Sequence, residues 1–347
     1  MKTQKNKKLL LATLLGSLAA GSANAAYEFK LTDTDKVTLG GYIKVDARYV
    51  NGDVAYRDFW VGAGAPLTDS QSQFKMNANE SRFNLKYSHG DVTGFLEMDF
   101  LGGGGDQRWS NSSHNRLRHA FISYKNVLAG QTWSTFMNTS ALAETADFAG
   151  ATIGIVFVRQ TQIRYTQGNF QVSIENPESW GGDASQDDKP DVVARYNLKG
   201  DWGNVSFSGL ARSLTTSLGN SESAFGASIA GRIKTVGKDD LRFQVHKGEL
   251  GRYVGLAFAP DLNNDKIEDT TSYLVAYRHF WDESLRSTAM YGHAEADVSG
   301  AERSQWSVNL FTNFTKELAV GVEVGNFSMD EINKDSDYLQ LSFKYTL

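Results

Sequence analysis

Val37-Thr-Leu-Gly-Gly-Tyr-Ile-Lys-Val-Asp-Ala-Arg-Tyr-Val50 is the stretch whose reading decides the fold. Val37, Leu39, Gly41, Ile43, Val45, Ala47 and Tyr49 share one parity, and Thr38, Tyr42, Lys44, Asp46 and Arg48 share the other. Successive side chains of a strand point to opposite faces, so this segment is a strand with one apolar and one polar face. The pattern recurs in Ser81, Phe83, Leu85 and Tyr87 against Arg82, Asn84 and Lys86, and in Val92, Gly94, Leu96, Met98 and Phe100 against Glu97 and Asp99.

Working outward, sixteen such segments are predicted, at about 37–50, 79–89, 92–101, 116–125, 127–134, 155–166, 169–176, 190–199, 203–213, 223–235, 240–248, 271–281, 285–294, 304–314, 317–328 and 337–347. Short connections such as His89-Gly90-Asp91, Gln167-Gly168-Asn169 and Val236-Gly237-Lys238 follow even segments. Long polar ones (51–78, 102–115, 135–154, 177–189, 249–270) mostly follow odd segments. Short turns on one side and long loops on the other are the signature of an outer-membrane barrel. The segment 251–259 alternates well enough to pass for a strand, but counting it would break this asymmetry, so it is placed in an external loop. A soluble sandwich closes in about 100 residues, whereas the alternation here runs through the whole chain after Val37. No strict repeat of a solenoid or propeller is present. Aromatics sit near the ends of the apolar rows, at Tyr49, Tyr87, Phe100, Tyr124, Tyr165, Phe170, Tyr291, Phe314 and Tyr345, as a membrane girdle requires. The last segment alternates to Leu347, where such barrels commonly end in an aromatic residue. The expected fold is all-β: a transmembrane antiparallel up-and-down barrel of 16 strands.

The first 25 residues read as a signal peptide: Lys2, Lys5, Lys7 and Lys8, an apolar run from Leu9, then Ala23-Asn-Ala25. That run is shorter than the roughly 20 residues of a membrane-spanning helix. The barrel domain is then 26–347, with a short periplasmic segment 26–36 before the first strand. There is no cysteine, which excludes disulfides and thiolate metal sites. The four prolines, Pro66, Pro177, Pro190 and Pro260, fall in polar stretches or at a strand start, where a sheet tolerates them.

Without its four leader lysines the chain carries 31 basic and 40 acidic residues, a net charge of −9. Parity gives the lumen the opposite sign. The polar faces carry Arg48, Arg82, Arg164, Arg195, Arg212, Arg232, Arg242, Arg278 and Arg286 with Lys44, Lys86, Lys234 and Lys344, against Asp46, Glu97, Asp99, Glu175 and Glu323. A charged bore with low-dielectric walls concentrates the opposite ion, and arginine forks match carboxylates. The expectation is an anion-preferring diffusion channel for small solutes such as carboxylates. Some of these arginines must pair with loop carboxylates. The long, weakly charged segment at about 134–154 follows the fifth strand, the position of the inward-folding loop of sixteen-stranded porins. Phe136, Met137, Glu144, Asp147 and Phe148 would face the constriction.

Other signals carry less. The glycines 102–105 open no helix and make no phosphate loop. Asp261-Leu-Asn-Asn-Asp265-Lys266 starts like a calcium loop but has Lys at the sixth position and no Glu at the twelfth. The six histidines form no metalloprotease motif, and no nucleophile elbow is present. His119, with Arg116 and Arg118, is placed at the pore mouth.

Arg116-Leu-Arg-His-Ala120, Ala129-Gly-Gln-Thr-Trp-Ser134, Arg159-Gln-Thr-Gln-Ile-Arg-Tyr-Thr166, Ser173-Ile-Glu-Asn-Pro-Glu178, Gly251-Arg-Tyr-Val-Gly255 and Tyr277-Arg-His-Phe-Trp281 together resemble the DcaP-like trimeric porins. The stretches lie in order over most of the chain. The resemblance implies a sixteen-stranded homotrimer that takes up anionic small molecules such as dicarboxylates. Some members carry an N-terminal coiled coil, whereas only Ala26–Lys36 precedes the first strand here, so barrel walls and loops would hold a trimer. The implied surroundings are lipid and lipopolysaccharide of a Gram-negative outer membrane, with no cofactor, metal or nucleic acid. The competing readings are a non-selective or sugar porin, an outer-membrane enzyme, and an adhesin acting through its loops.

Overall fold

The computed structural model describes residues 26–55, 66–106, 108–147, 152–256 and 258–347. The leader expected over 1–25, and Phe148, lie outside the described residues.

Sixteen strands among these residues form one closed antiparallel barrel. They are β1 (Asp35–Val54), β2 (Pro66–Asn77 continued by Arg82–His89), β3 (Val92–Asp99), β4 (Arg116–Tyr124), β5 (Val127–Trp133), β6 (Arg159–Gln167), β7 (Phe170–Glu175) and β8 (Asp191–Gly200). Then follow β9 (Gly203–Thr215), β10 (Ser221–Lys234), β11 (Asp240–Gly248), β12 (Thr270–Phe280), β13 (Leu285–Ala296), β14 (Glu302–Asn313), β15 (Leu318–Met329) and β16 (Lys334–Thr346). Each strand pairs with its sequence neighbours, and β1 closes on β16 from Tyr42↔Thr346 to Gly52↔Ser336. Below that seam Tyr27–Lys30 pairs with Lys36–Leu39, so part of the 26–36 segment forms a short strand of its own.

The alternation becomes an inside and an outside. In β1, Lys44, Asp46, Arg48 and Val50 are buried while Ile43 and Tyr49 are exposed. The large exposed side chains of the other strands, such as Leu96, Ile163, Phe207, Val308 and Leu341, form the outward band. Tyr87, Tyr165, Trp202, Trp281, Tyr345 and, at the other end, Tyr49 and Trp306 supply its rings. The lower turns are tight: His89↔Val92, Tyr124↔Val127 and Gln167↔Phe170 leave two residues each. Gly90, Lys125 and Gly168 there have φ of 54°, 51° and 59°, the left-handed geometry that two-residue hairpins demand.

Three boundaries differ from expectation. The stretch expected as a loop over 51–78 contains strand: Pro66–Asn77 pairs with the upper end of β1. Its polar sequence hides the alternation because it rises past the lipid. The strand expected from 155 starts at Arg159, because Ile155, Val156 and Phe157 pack inside the barrel as loop residues. The third is a bulge. Glu97 pairs with His119 but Met98 with Leu117, so Arg118 is the extra residue and the parity of β4 flips there.

The wall is uneven in height. β3 to β7 have 8, 9, 7, 9 and 6 residues, whereas β12 to β16 have 11 to 13. At about 3.4 Å per residue and a 45° tilt, twelve residues reach about 29 Å and seven about 17 Å, against an apolar band of about 25 Å.

Because Val308 faces lipid midway along β14, Val308→Arg is expected to cost about 2–4 kcal/mol. Val236→Arg, in a lower turn, is expected to be neutral. Reversible denaturant unfolding in lipid vesicles measures both, and equal effects would contradict the outward assignment.

Candidate functional site, the lining of the bore

The loop after β5 turns into the barrel and is tied to successive strands in chain order. The Thr135 backbone N–H donates to Glu175 on β7 at 2.8 Å, and Arg195 on β8 donates to the Met137 carbonyl. Asn138 donates to Asn204, Ser206 and the Ala230 carbonyl on β9 and β10. The Ala141 and Leu142 carbonyls accept from Gln244 and Arg242 on β11. Glu144 bridges Arg278 at 3.1 Å and Arg286 at 2.7 Å, on β12 and β13. The Ala146 N–H donates to Glu323 on β15 at 2.8 Å, its carbonyl accepts from Gln340 and Lys44, and Asp147 pairs with Arg48 on β1 at 2.6 Å. Phe136 and Met137 do not line open space. They are 1% and 2% exposed and pack into a cluster under the loop.

All thirteen cations assigned to the polar faces have the inward parity, and they divide into two sets. Lys44 pairs with Asp46 at 3.1 Å and with Glu80. Arg48 pairs with Asp147, Arg82 with Glu80 and Glu97 at 4.0 and 3.7 Å, and Arg212 with Asp191 and Asp261. Arg242 and Arg278 share Asp240 at 2.7 and 2.6 Å, and Arg278 and Arg286 share Glu144. Arg164, Arg195, Arg232, Lys86, Lys234 and Lys344 have no carboxylate partner among the described residues. Arg164 donates to Gln162 and Arg195 to Gln171, Lys344 lies 4.3 Å over the Tyr42 ring, and the Nε of Arg195 and Arg232 have no hydrogen-bond partner among the described residues. Arg232 is directly opposite Arg242 across β10 and β11, a like-charge pair that a sheet built for stability alone avoids.

The inward carboxylates lie deep. Asp99 and Asp240 are 0% and 3% exposed at the side chain, beneath Arg116 at 25% and Arg278 at 17%. Glu175 and Glu323, which form no ion pair among the described residues, are each 1% exposed and are occupied by loop N–H groups and neighbouring hydroxyls. Glu144 is the accessible exception, held between two guanidiniums.

Strict parity missed several inward groups. Arg118 enters through the bulge, reaching Glu97 at 2.7 Å and Asp99 at 2.8 Å. Arg116 grips Asp99 with two bonds, and His119 contacts Thr132 at 3.0 Å. Glu80 turns inward from the break in β2, where alternation stops. Asp191 and Asp240 open their strands and were readable as inward by extending the count to the first residue.

A second filler was not legible. The loop after β11 also folds inward: Leu250, Tyr253 and Val254 are fully buried, and Val254 bridges Val156 of the other inward loop. Together they pack on Val50, Val193, Leu210, Leu274, Met290 and Phe327 in the outer half of the barrel. Gly154 makes the approach possible, since a Cβ there would lie 1.9 Å from the Tyr273 carbonyl oxygen. Arg212, Arg252 and Tyr253 converge on Asp191. The 251–259 segment is accordingly loop, beginning with a 3-10 turn at Gly251–Tyr253. The calcium-like stretch forms a hairpin, Leu262–Asn263 against Lys266–Ile267, and Asp261 is taken up by Arg212 and the N–H groups of Trp180 and Arg252.

The family model of the DcaP outer membrane protein matches residues 17–331. The crystal structure of the outer membrane channel DcaP of Acinetobacter baumannii superposes with a TM-score of 0.79 at 24% identity, over 92% of this chain and 99% of that one. OmpT, an outer membrane protein of Vibrio cholerae, gives 0.61 at 12% identity over 93% and 100%. An anion-selective porin from Comamonas acidovorans gives 0.60 at 14% identity over 90% and 100%. No curated protein sequence matches the chain.

Removing Asp147 leaves the buried Arg48 guanidinium without the carboxylate it faces at 2.6 Å. Asp147→Ala is expected to lower the unfolding free energy by about 3 kcal/mol and, by loosening the loop, to raise single-channel conductance. Denaturant titration and bilayer recording test the two halves, and unchanged conductance would show that the loop does not narrow the bore.

Proposed function

The chain belongs to the DcaP family and is a channel protein of the outer membrane, and from that premise we propose a passive diffusion pore that prefers small anionic solutes, mono- and dicarboxylates among them. The observation that carries this reading is the unequal use of charge in the bore. Its carboxylates are sunk beneath guanidiniums or occupied by the inward loop, while Arg164, Arg195, Arg232, Lys86, Lys234 and Lys344 form no ion pair among the described residues. A cationic lining in a low-dielectric tube raises the local concentration of anions, and the guanidinium fork matches a carboxylate. The similarly folded Comamonas acidovorans porin is described as anion-selective. Nothing in this reading calls for covalent chemistry: the pore acts by field and width alone. Export through cleavage after Ala25 belongs to the same proposal, as does a constriction shaped by the loop through Glu144.

We infer a homotrimer as well, for a reason of height. β3 to β7 reach about 14 to 22 Å, short of the roughly 25 Å apolar band, so this wall is the one that a neighbouring copy would cover. Its outward face is apolar, with Leu96, Ile122 and Ile163 exposed around small residues Gly94, Ala120 and Ala129. Copies packed through the low wall would leave β12 to β16 against lipid and lipopolysaccharide.

In a planar bilayer under a KCl gradient the reversal potential is expected to have the sign of chloride selectivity. Replacing Arg164, Arg195 and Arg232 together by Gln is expected to move it most of the way to zero. A potassium-selective wild type would overturn the anion reading and leave the channel intact. For the assembly, the chain has no native cysteine, so Ile122→Cys is expected to cross-link copies on oxidation and Val308→Cys is not. The reverse pattern would place the interface on the tall wall.

A further inference from the structure

Three carboxylates stand at the external ends of three neighbouring strands on the outward face. Glu295 of β13 is directly opposite Glu302 of β14, and Asp330 follows β15 immediately beyond Met329, the partner of Arg303. One step lower the row is His293, Ser304 and Ser328. Like charges placed opposite each other on one sheet face repel. Of the basic side chains nearby, Lys247 is paired with Asp269 at 2.6 Å and also acts on Glu295, and Arg303 faces inward and is paired with Glu331. Neither cation forms an ion pair with Glu295 or Glu302 among the described residues.

The donor set is mixed. His293 Nε2 lies 3.8 Å from Glu302 Oε1, and one ligand atom each from His293, Glu302 and Asp330 falls within 4.8 Å of the others. The imidazole plane is held by the Tyr273 ring, 5.4 Å away at 34°. Asp330 is oriented by the Ser328 hydroxyl, which donates to it.

We propose that His293, Glu302 and Asp330 bind a divalent transition-metal ion of the zinc class, with Glu295 adding charge beside it. Zinc takes imidazole nitrogen and carboxylate oxygen at about 2.0–2.2 Å, which puts neighbouring ligands about 3.3 Å apart. The 3.8 Å pair stands about 0.5 Å from that spacing. An imidazole among the donors favours zinc over calcium or magnesium, which take oxygen only. Three protein ligands leave a fourth position open, pointing away from the barrel at its external rim. The bound ion would clip the external ends of β13, β14 and β15, of which the first two are joined at that rim by the loop 297–301 and the last two meet there through strand pairing.

The test uses the full mature protein in detergent, without a histidine tag, titrated with Zn2+ by calorimetry and with Co2+ by visible absorption. The expected result is one Zn2+ per chain and a four-coordinate Co2+ spectrum. His293→Ala and Glu302→Gln are each expected to weaken binding at least tenfold, while His89→Ala, at the periplasmic end, leaves it unchanged. Heat-modified gel migration checks that each variant is folded. Absence of saturable binding in the wild type would overturn the proposal, as would binding retained by folded His293→Ala or Glu302→Gln.

Discussion

A strand in hydrocarbon has no water to satisfy its backbone, so each N–H and C=O must find a neighbour within the sheet. The seam between β1 and β16 meets this constraint, and the rest of the structure depends on it. Once the sheet closes, parity has one meaning around the whole circumference. Even the polar stretch Pro66–Asn77 is drawn into the sheet, because the upper half of β1 needs a partner on that side.

This explains what was legible. Along β1, β9 or β14 the assignment of inside and outside needs only the period of two, and every cation assigned inward that way has inward parity. The strand number followed from the loop asymmetry, which also kept 251–259 out of the count. Parity fails where the backbone leaves the ideal ladder. One extra residue at Arg118 turns two consecutive side chains, Arg118 and His119, into the bore. The break at 78–81 lets Glu80 reach Lys44. Neither has a local signature, because each is set by register with the neighbouring strand.

The inward loops were legible to different degrees. The first could be placed by its length, low charge and position after the fifth strand. Its side chains could not, because burial of Phe136 and Met137 depends on a partner loop more than 100 residues later. The second, around Tyr253, alternates well enough to pass for a strand and is placed by sequence in an external loop, with no sign that it turns inward. Its apolar residues have inside partners such as Val193, Leu210 and Leu274, which in the sequence are simply the occasional apolar member of a polar face. An apolar residue on the lumen parity is therefore informative: Val193, Leu210, Leu274, Met290 and Phe327 mark where the loops descend.

The same reasoning separates net charge from working charge. The chain is acidic, and the sequence makes its bore basic on strand residues alone. The structure adds Glu80, Glu144, Asp147, Asp191 and Asp240 to the inside, which removes much of that surplus by number. Depth restores it. A carboxylate that is fully desolvated and held by guanidinium or N–H donors projects little field into the water it no longer touches. An arginine above it, still partly exposed, projects its own. At Asp99 and Asp240 the short acidic side chain stays near the wall and a longer arginine reaches past it, whereas Lys44, Arg118 and Arg212 are as buried as their partners. On the anion-preferring reading, a solute meets Arg116 and Arg278, 25% and 17% exposed, above Asp99 and Asp240, 0% and 3% exposed.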